Sequence, residues 1–301
     1  MATRHIWLTV ATLAVGAWAT VANAQSTVHL YIYDTHTGVV TQATGPMEVD
    51  PYNASFSNDG KRLVHDLTGG WPQLVGVTDL AKGTTTSLGV AGDNAVWSPN
   101  GKFIAYGNFS DYYDSGGTVP VELRVIPAAG GTPVSVREWA LEPNWSNNSR
   151  RLAFVDVIYG YIGTIGLDGS ETNLGAVGAY GCNPAYSPDG KVIVYTQSEY
   201  CYPFPSPGPL MIIPVNEQGQ ALGAPYPITS GAYYADHPSF SNDGKTIVFS
   251  GNAGSDPNEF GLYTVSVYGG DPVVLFDRPG KGEWDPAYSK NGRYVVFSGE
   301  E

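Results

Sequence analysis

The sequence predicts an all-β fold, a six-bladed β-propeller built from four-stranded blades. Three observations carry this: a turn motif that occurs six times, an apolar pattern that recurs on both sides of it, and half a repeat left over at each end of the chain. Read from its serine, the motif is Ser57-Asn58-Asp59-Gly60-Lys61, Ser98-Pro99-Asn100-Gly101-Lys102, Ser146-Asn147-Asn148-Ser149-Arg150, Ser187-Pro188-Asp189-Gly190-Lys191, Ser241-Asn242-Asp243-Gly244-Lys245 and Ser289-Lys290-Asn291-Gly292-Arg293. The serines are 41, 48, 41, 54 and 48 residues apart. A strand-rich repeat of this period is the signature of propeller blades.

Each element follows from local chemistry. Pro presets φ for the first corner of the turn, Asp or Asn suits the second, and Gly accepts the left-handed conformation that closes it. Ser149 replaces that glycine in the third copy, so this turn is expected to be strained or differently shaped. An aromatic precedes every serine: Phe56, Trp97, Trp145, Tyr186, Phe240 and Tyr288. Six residues after the serine comes an aliphatic (Leu63, Ile104, Leu152, Ile193, Ile247, Val295). Two further on, the sequence has His65, Tyr106, Phe154, Tyr195, Phe249 and Phe297. That period of two marks a strand with one buried face, so each motif joins the two strands of a hairpin. A third and a fourth apolar run follow across a Gly-containing turn, as in 73–80 and 84–88, or 261–267 and 272–276.

The chain stops after the second strand of the sixth unit, whereas residues 28–33 and 39–43 read as two strands that lack a hairpin. We expect these strands to complete the sixth blade and close the ring. Residues 1–24 read as a secretory signal peptide: Arg4 and His5, an apolar run over 6–19, and a small-residue cleavage site at Ala22-Asn23-Ala24. The apolar run is short for a membrane span. The expected organisation is therefore a signal peptide over 1–24 and one propeller over 25–301, located in the periplasm or secreted, and monomeric. About 277 residues over six blades give roughly 46 per blade.

Charged residues make up only 14% of the chain and the formal net charge is −13. That balance argues against nucleic acid, which needs a basic footprint, and against attraction to anionic lipid. It is compatible with a cationic partner. Cys182 and Cys201 are the only cysteines. In an exported chain an even count permits a disulfide. The two flank one predicted hairpin at the same end, so a bridge is geometrically reasonable; two buried free thiols are the alternative.

The stretch Asn183-Pro184-Ala185-Tyr186-Ser187-Pro188-Asp189-Gly190-Lys191 resembles the TolB-type, WD-like β-propeller repeat. So does Asp285-Pro286-Ala287-Tyr288-Ser289 with its turn and Val295-Val296-Phe297. The resemblance covers essentially all of residues 25–301 and implies the propeller fold. It implies less about activity, because the repeat occurs in scaffolding proteins, peptidase accessory domains and some sugar-active enzymes. TolB itself carries an α/β domain before its propeller, and residues 25–27 leave no room for one, so TolB proper is not expected. A Gly-x-Ser-x-Gly nucleophile elbow is absent from the sequence. Oligogalacturonate lyases, a distant propeller class, use histidine-rich metal sites, whereas residues 25–301 hold only His29, His36, His65 and His237.

Four residues before each serine stand Asn53, Asn94, Glu142, Asn183, His237 and Asp285, all polar. In a propeller they fall at the start of each innermost strand and ring one mouth of the central channel. Such a ring suits a cation, a water cluster or a peptide; equally, it suits strand ends that bond to neighbouring loops and water. No cofactor is assigned; a metal could use His237 with Glu142 and Asp285, and the three asparagines of the ring are oxygen ligands better matched to Ca²⁺ than to Zn²⁺. Two longer loops, containing Tyr113 and Tyr202, are expected at the same end, with a third, acidic loop over 256–259. The leading expectation is a non-enzymatic binding or scaffold module for a protein or peptide of the cell envelope, with no catalytic residue assigned. The alternative is a carbohydrate-active or other hydrolase or lyase with its site at the same mouth.

Overall fold

A computed structural model describes residues 28–44, 50–68, 72–109, 112, 116–198, 201, 208–231, 234–252 and 260–301. The signal-peptide reading, Tyr113, Tyr202 and the 256–259 loop all lie outside these residues.

The described chain forms six four-stranded antiparallel sheets. Blade 1 holds β3 (Asp50–Phe56), β4 (Arg62–Thr68), β5 (Leu74–Asp79) and β6 (Thr84–Ala91). Blade 2 holds β7 (Asp93–Trp97), β8 (Phe103–Asn108), β9 (Glu122–Pro127) and β10 (Val134–Glu138). Blade 3 holds β11 (Ala140–Trp145), β12 (Arg151–Asp156), β13 (Ile162–Gly166) and β14 (Glu171–Asn173). Blade 4 holds β15 (Cys182–Tyr186), β16 (Val192–Thr196), β17 (Leu210–Pro214) and β18 (Tyr226–Pro227). Blade 5 holds β19 (Tyr234–Phe240), β20 (Thr246–Asn252), β21 (Gly261–Ser266) and β22 (Val273–Phe276). Blade 6 is assembled from both ends of the chain: β23 (Glu283–Tyr288) and β24 (Tyr294–Glu300) pair with β1 (Val28–Asp34) and β2 (Val40–Gln42). The first strand of each blade neighbours the next in the cycle β3, β7, β11, β15, β19, β23 and back to β3, so the ring is closed. Fold class and closure are as the sequence predicts.

The repeated serine explains how six hairpins share one shape. In every copy its Oγ donates to the Asp or Asn two residues on, at 2.7–2.9 Å. The same Oγ accepts the backbone N–H five residues on, at 2.9–3.1 Å. A hydroxyl can do both, and Asp and Asn offer the same acceptor, which is why they interchange at that position. The turn glycines have φ of 67–72° and Ser149 has 59°. Ser149 therefore keeps the left-handed turn rather than reshaping it, and its Oγ accepts from Asn100 N of the preceding blade at 3.0 Å. Neighbouring turns touch around this end: Gly190 against Asn147, Gly292 against Asn242, and Lys290 reaching Asn58 and Pro99. They form a collar.

The core sits between blades. Each of the six hydrophobic clusters bridges one pair of neighbours. The aliphatic and ring positions read from the repeat are fully buried in all six copies. His65 takes the ring position in blade 1, and its Nε2 meets Thr78 Oγ1 at 2.8 Å. Burial pushes it down to about 4, so it is neutral at ordinary pH.

Cys182 and Cys201 are bonded, tying the start of β15 to the segment after β16. With the partners separated by 19 positions in sequence, replacing both by alanine should cost about 2–4 kcal/mol in denaturant unfolding. Thiol titration of the denatured, unreduced protein should find no free thiol.

Candidate functional site

All six residues singled out by the repeat have left-handed backbone: φ is 53° at Asn53, 52° at Asn94, 53° at Glu142, 52° at Asn183, 47° at His237 and 55° at Asp285. At each of them the pairing of the inner strand with the second strand shifts register. Such a bulge bends the strand and turns a side chain toward the axis, at a conformational cost for any residue but glycine. The same six side chains line two chambers of the central channel, of about 250 and 460 Å³. The smaller chamber continues toward the collar past Trp97, Trp145 and Tyr288. The larger opens toward the loop side, past Tyr52, Thr68, Gln73 and Cys201. The six thus mark the waist between two chambers, inside the strands, rather than the mouth expected from the sequence. Glu142 is also buried.

Three carboxylates that the repeat does not point to join them. Asp93 and Asp236 immediately precede ring members, and Asp66 lies on β4; all three line the larger chamber. Asp66 occupies a position that is Gly107, Val155, Thr196, Ser250 and Ser298 in the other blades, so a lone acid there was the available signal.

The polar groups form a chain around the waist. Asp66 Oδ2 accepts from Asn53 Nδ2 at 2.6 Å and Asn94 N at 3.1 Å. Asp285 Oδ2 accepts from Asn53 N at 3.4 Å, and Glu142 Oε2 accepts from Asn183 N. Asn183 Nδ2 donates to Asp236. His237 Nδ1 lies 3.3 Å from Asp236 and 3.2 Å from Asp285. Part of this chemistry is structural, because the carboxylates satisfy backbone N–H groups that the bulges withdraw from the sheet.

The electrostatics are unequal around the ring. Burial opposes a charge on His237, but Asp236, Asp285 and Glu142 outweigh it and raise the imidazole to about 10. Despite burial, that imidazolium holds Asp236 below the usual carboxylate range. Burial raises Asp285, and His237 opposes the rise. On blades 1 and 2 there is no such cation. Burial takes Asp66 up to about 7 against its bonds from Asn53 and Asn94. Burial, Asp66 and Glu142 together raise Asp93. With its charge favoured by Asp236, Asp285 and Glu142, the His237 imidazolium offsets part of the negative charge of the carboxylates around it.

Among the described residues, no group of three His, Cys, Asp or Glu side chains is arranged to hold a metal ion. The four histidines among the described residues are dispersed: His29 and His36 in blade 6, His65 in the blade 1 core, His237 at the waist. Tyr112, beside Tyr113 in sequence, packs edge-on against Trp139 at 6.1 Å. No helix among the described residues is long and apolar enough to cross a membrane.

Comparison with known proteins agrees with this architecture. A family model for the dipeptidyl peptidase IV N-terminal region, a propeller family, matches residues 210–300. The solved structure named "putative TolB" from Agrobacterium tumefaciens is 21% identical, with a TM-score of 0.74 over 92% of this chain and 99% of that one. TolB from Acinetobacter baumannii is 14% identical, with a TM-score of 0.60 over 91% of this chain and 63% of that one. An oligogalacturonate lyase in complex with manganese is 15% identical, with a TM-score of 0.53 over 90% of this chain and 78% of that one. No curated protein sequence matches. The fold is a TolB-type six-bladed β-propeller, and the described chain is that propeller alone.

Proposed function

We propose that the protein is an exported, non-enzymatic binding module that takes a protein or peptide partner at the loop-side mouth of its channel. One observation carries the reading: the chamber of about 460 Å³ gathers Asp66, Asp93, Glu142, Asp236 and Asp285 from five blades around a single imidazole. A funnel of one sign with low-dielectric walls concentrates its field and favours a guest of the opposite charge. Export rests on the leader read in residues 1–24, and the TolB-type fold is consistent with a scaffold role.

The test is affinity capture from envelope extract, with Glu142→Gln/Asp285→Asn as the comparison. Both amides keep an acceptor for Asn183 N and Asn53 N, so the fold should persist while two charges are lost. Capture should weaken about tenfold or more, as for truncated charge partners in other interfaces. Undiminished capture by that variant, with loss of capture on substituting the collar residues Asn58 and Lys290, would place the partner at the opposite end. A glycan-array screen of the same protein checks the carbohydrate alternative.

A further inference from the structure

A second recess lies at the opposite end of the molecule from the loop-side mouth. It is a cleft of about 300 Å³ in the collar, between the fifth and sixth turns, with Thr35, Asn242, Asp243, Thr246, Tyr288 and Asn291 in its walls. Tyr288 sets this seam apart. The other five motif aromatics, Phe56, Trp97, Trp145, Tyr186 and Phe240, are buried, whereas Tyr288 is half-buried and also lines the smaller chamber. The hydroxyls of Tyr106, Tyr186 and Tyr195 are sealed from solvent; that of Tyr288 is accessible and makes no hydrogen bond with the described residues.

The turn motif presents the remaining groups in fixed positions. Asp243 Oδ1 accepts from Ser241 Oγ at 2.7 Å and Lys245 N at 3.1 Å. Asn291 Oδ1 accepts from Ser289 Oγ at 2.8 Å and Arg293 N at 3.0 Å. Each side chain is pinned through Oδ1, which leaves Asp243 Oδ2 and the Asn291 Nδ2 group without a hydrogen bond among the described residues. Both residues are exposed, as is Asn242, which packs against Gly292. Ser241 and then Lys245 N hold Asp243 below the usual carboxylate range, so it is ionised at ordinary pH. Burial first, then Asp243, pushes Tyr288 up to about 12, so its hydroxyl keeps its proton. The cleft thus offers one carboxylate oxygen, two amides and two hydroxyls beside one aromatic ring.

We propose that this collar cleft binds a neutral hexopyranose unit, with Tyr288 as its aromatic wall and Asp243, Asn242 and Asn291 as partners of its hydroxyls. Each sugar hydroxyl donates one hydrogen bond and accepts two, so a wall of mixed donors and acceptors engages neighbouring hydroxyls of one ring. The apolar body and polar tip of a tyrosine suit the C–H face and the hydroxyl rim of the same guest. Groups already pinned by the turn lose little freedom on binding. An anionic guest would meet Asp243. A hard metal ion takes six or more oxygens, often from several carboxylates, and the cleft holds one carboxylate. A cleft of this size is at the small end of ligand pockets, which fits a sugar ring better than a folded peptide. The site is separate from the loop-side face, and neither needs the other.

The test is ligand-observed NMR titration of the full protein with glucose, galactose, mannose and N-acetylglucosamine, each as free sugar and as methyl glycoside. At least one should bind, with Kd of about 0.1–10 mM. Binding of a methyl glycoside marks the end of a glycan as the source; binding of the free form alone marks a free sugar. Asp243→Asn and Asn291→Asp each keep the Oδ1 acceptor that the turn requires, and each installs a residue that other turns carry at that position. Either should weaken binding about tenfold or more. Asp59→Asn makes the same exchange outside the cleft and should change nothing. No binding by any of these sugars up to about 50 mM, full binding by either cleft variant, an equal loss in Asp59→Asn, or tighter binding of charged glucosamine or glucuronate than of every neutral sugar would each overturn the inference. Both cleft variants should capture the envelope partner as the wild type does. Loss of that capture would join the cleft to the partner face and overturn its separate role.

Discussion

Deleting residues 28–43 should abolish cooperative folding. These residues supply half of blade 6, and β1 pairs with β24 over seven residues from Val28–Glu300 to Asp34–Tyr294. Leu30 is fully buried against Ala54, Phe56 and Leu63 of blade 1, while Tyr31 packs with Leu262 of blade 5. One strand therefore contributes to the seams on both sides of its blade. Its loss opens two seams of a closed ring and exposes the edge of β24. Each large apolar side chain removed from burial forfeits about 1.5–3 kcal/mol. Several such losses are comparable with the whole stability of a domain, about 5–15 kcal/mol. Calorimetry should show no unfolding endotherm for the truncated protein. A transition at the wild-type temperature would mean that the ring does not depend on its closure.

Stability should fall as the pH rises from about 5 to 8, with Asp66 as a principal cause. Burial raises Asp66 to about 7 and Glu283 to about 7, and also raises Asp93 and Asp285. Between the unfolded carboxylate range and these raised values the folded protein binds more protons than the unfolded chain. Its stability is therefore greatest toward mild acid and declines as pH rises through that window. His237, raised to about 10, adds a contribution that is lost as pH climbs from its unfolded value near 6.5 toward 10. The turn acids act oppositely: Asp59, held low first by Ser57 and then by Lys61 N, contributes stability that is lost only as pH falls below the unfolded carboxylate range. Asp66→Asn keeps an acceptor for Asn94 N and removes the charge. It should flatten the profile and raise stability at pH 8 by about 1–3 kcal/mol in denaturant titrations. A wild-type protein more stable at pH 8 than at pH 5, or an Asp66→Asn protein weaker at pH 8, would contradict this assignment of charge.

The fold was legible because its determinants are local and repeated. Ser57 and its five counterparts each fix a turn within six residues, and the Leu63 and Phe297 positions alternate with the period of a strand. Closure was legible because residues 28–43 supply two strands without the serine-turn hairpin that opens every blade. The site was legible only in part. Asn53, Asn94, Glu142, Asn183, His237 and Asp285 do converge, but their left-handed backbone left only a faint trace: glycine, the usual sign of positive φ, stands at none of them, and the run of Asn, His and Asp, the other residues that tolerate it, is broken by Glu142. The bulge moves them from the mouth to the waist. Asp66 and Asp236 acquire their roles through contacts with Asn53, Asn94 and Asn183, partners 13 to 53 residues away. Period and spacing within one repeat do not encode such contacts.

The most direct test of the account is amide hydrogen exchange of the protein alone and with its captured partner. If the loop-side chamber is the binding face, exchange should slow in peptides spanning Tyr52–Asn53, Asp66–Thr68, Asp93–Asn94 and Glu142, and the collar turns should exchange as they do in the free protein. Protection confined to the collar around Asn58, Asn147, Asn242 and Lys290, with the channel strands unchanged, would contradict it.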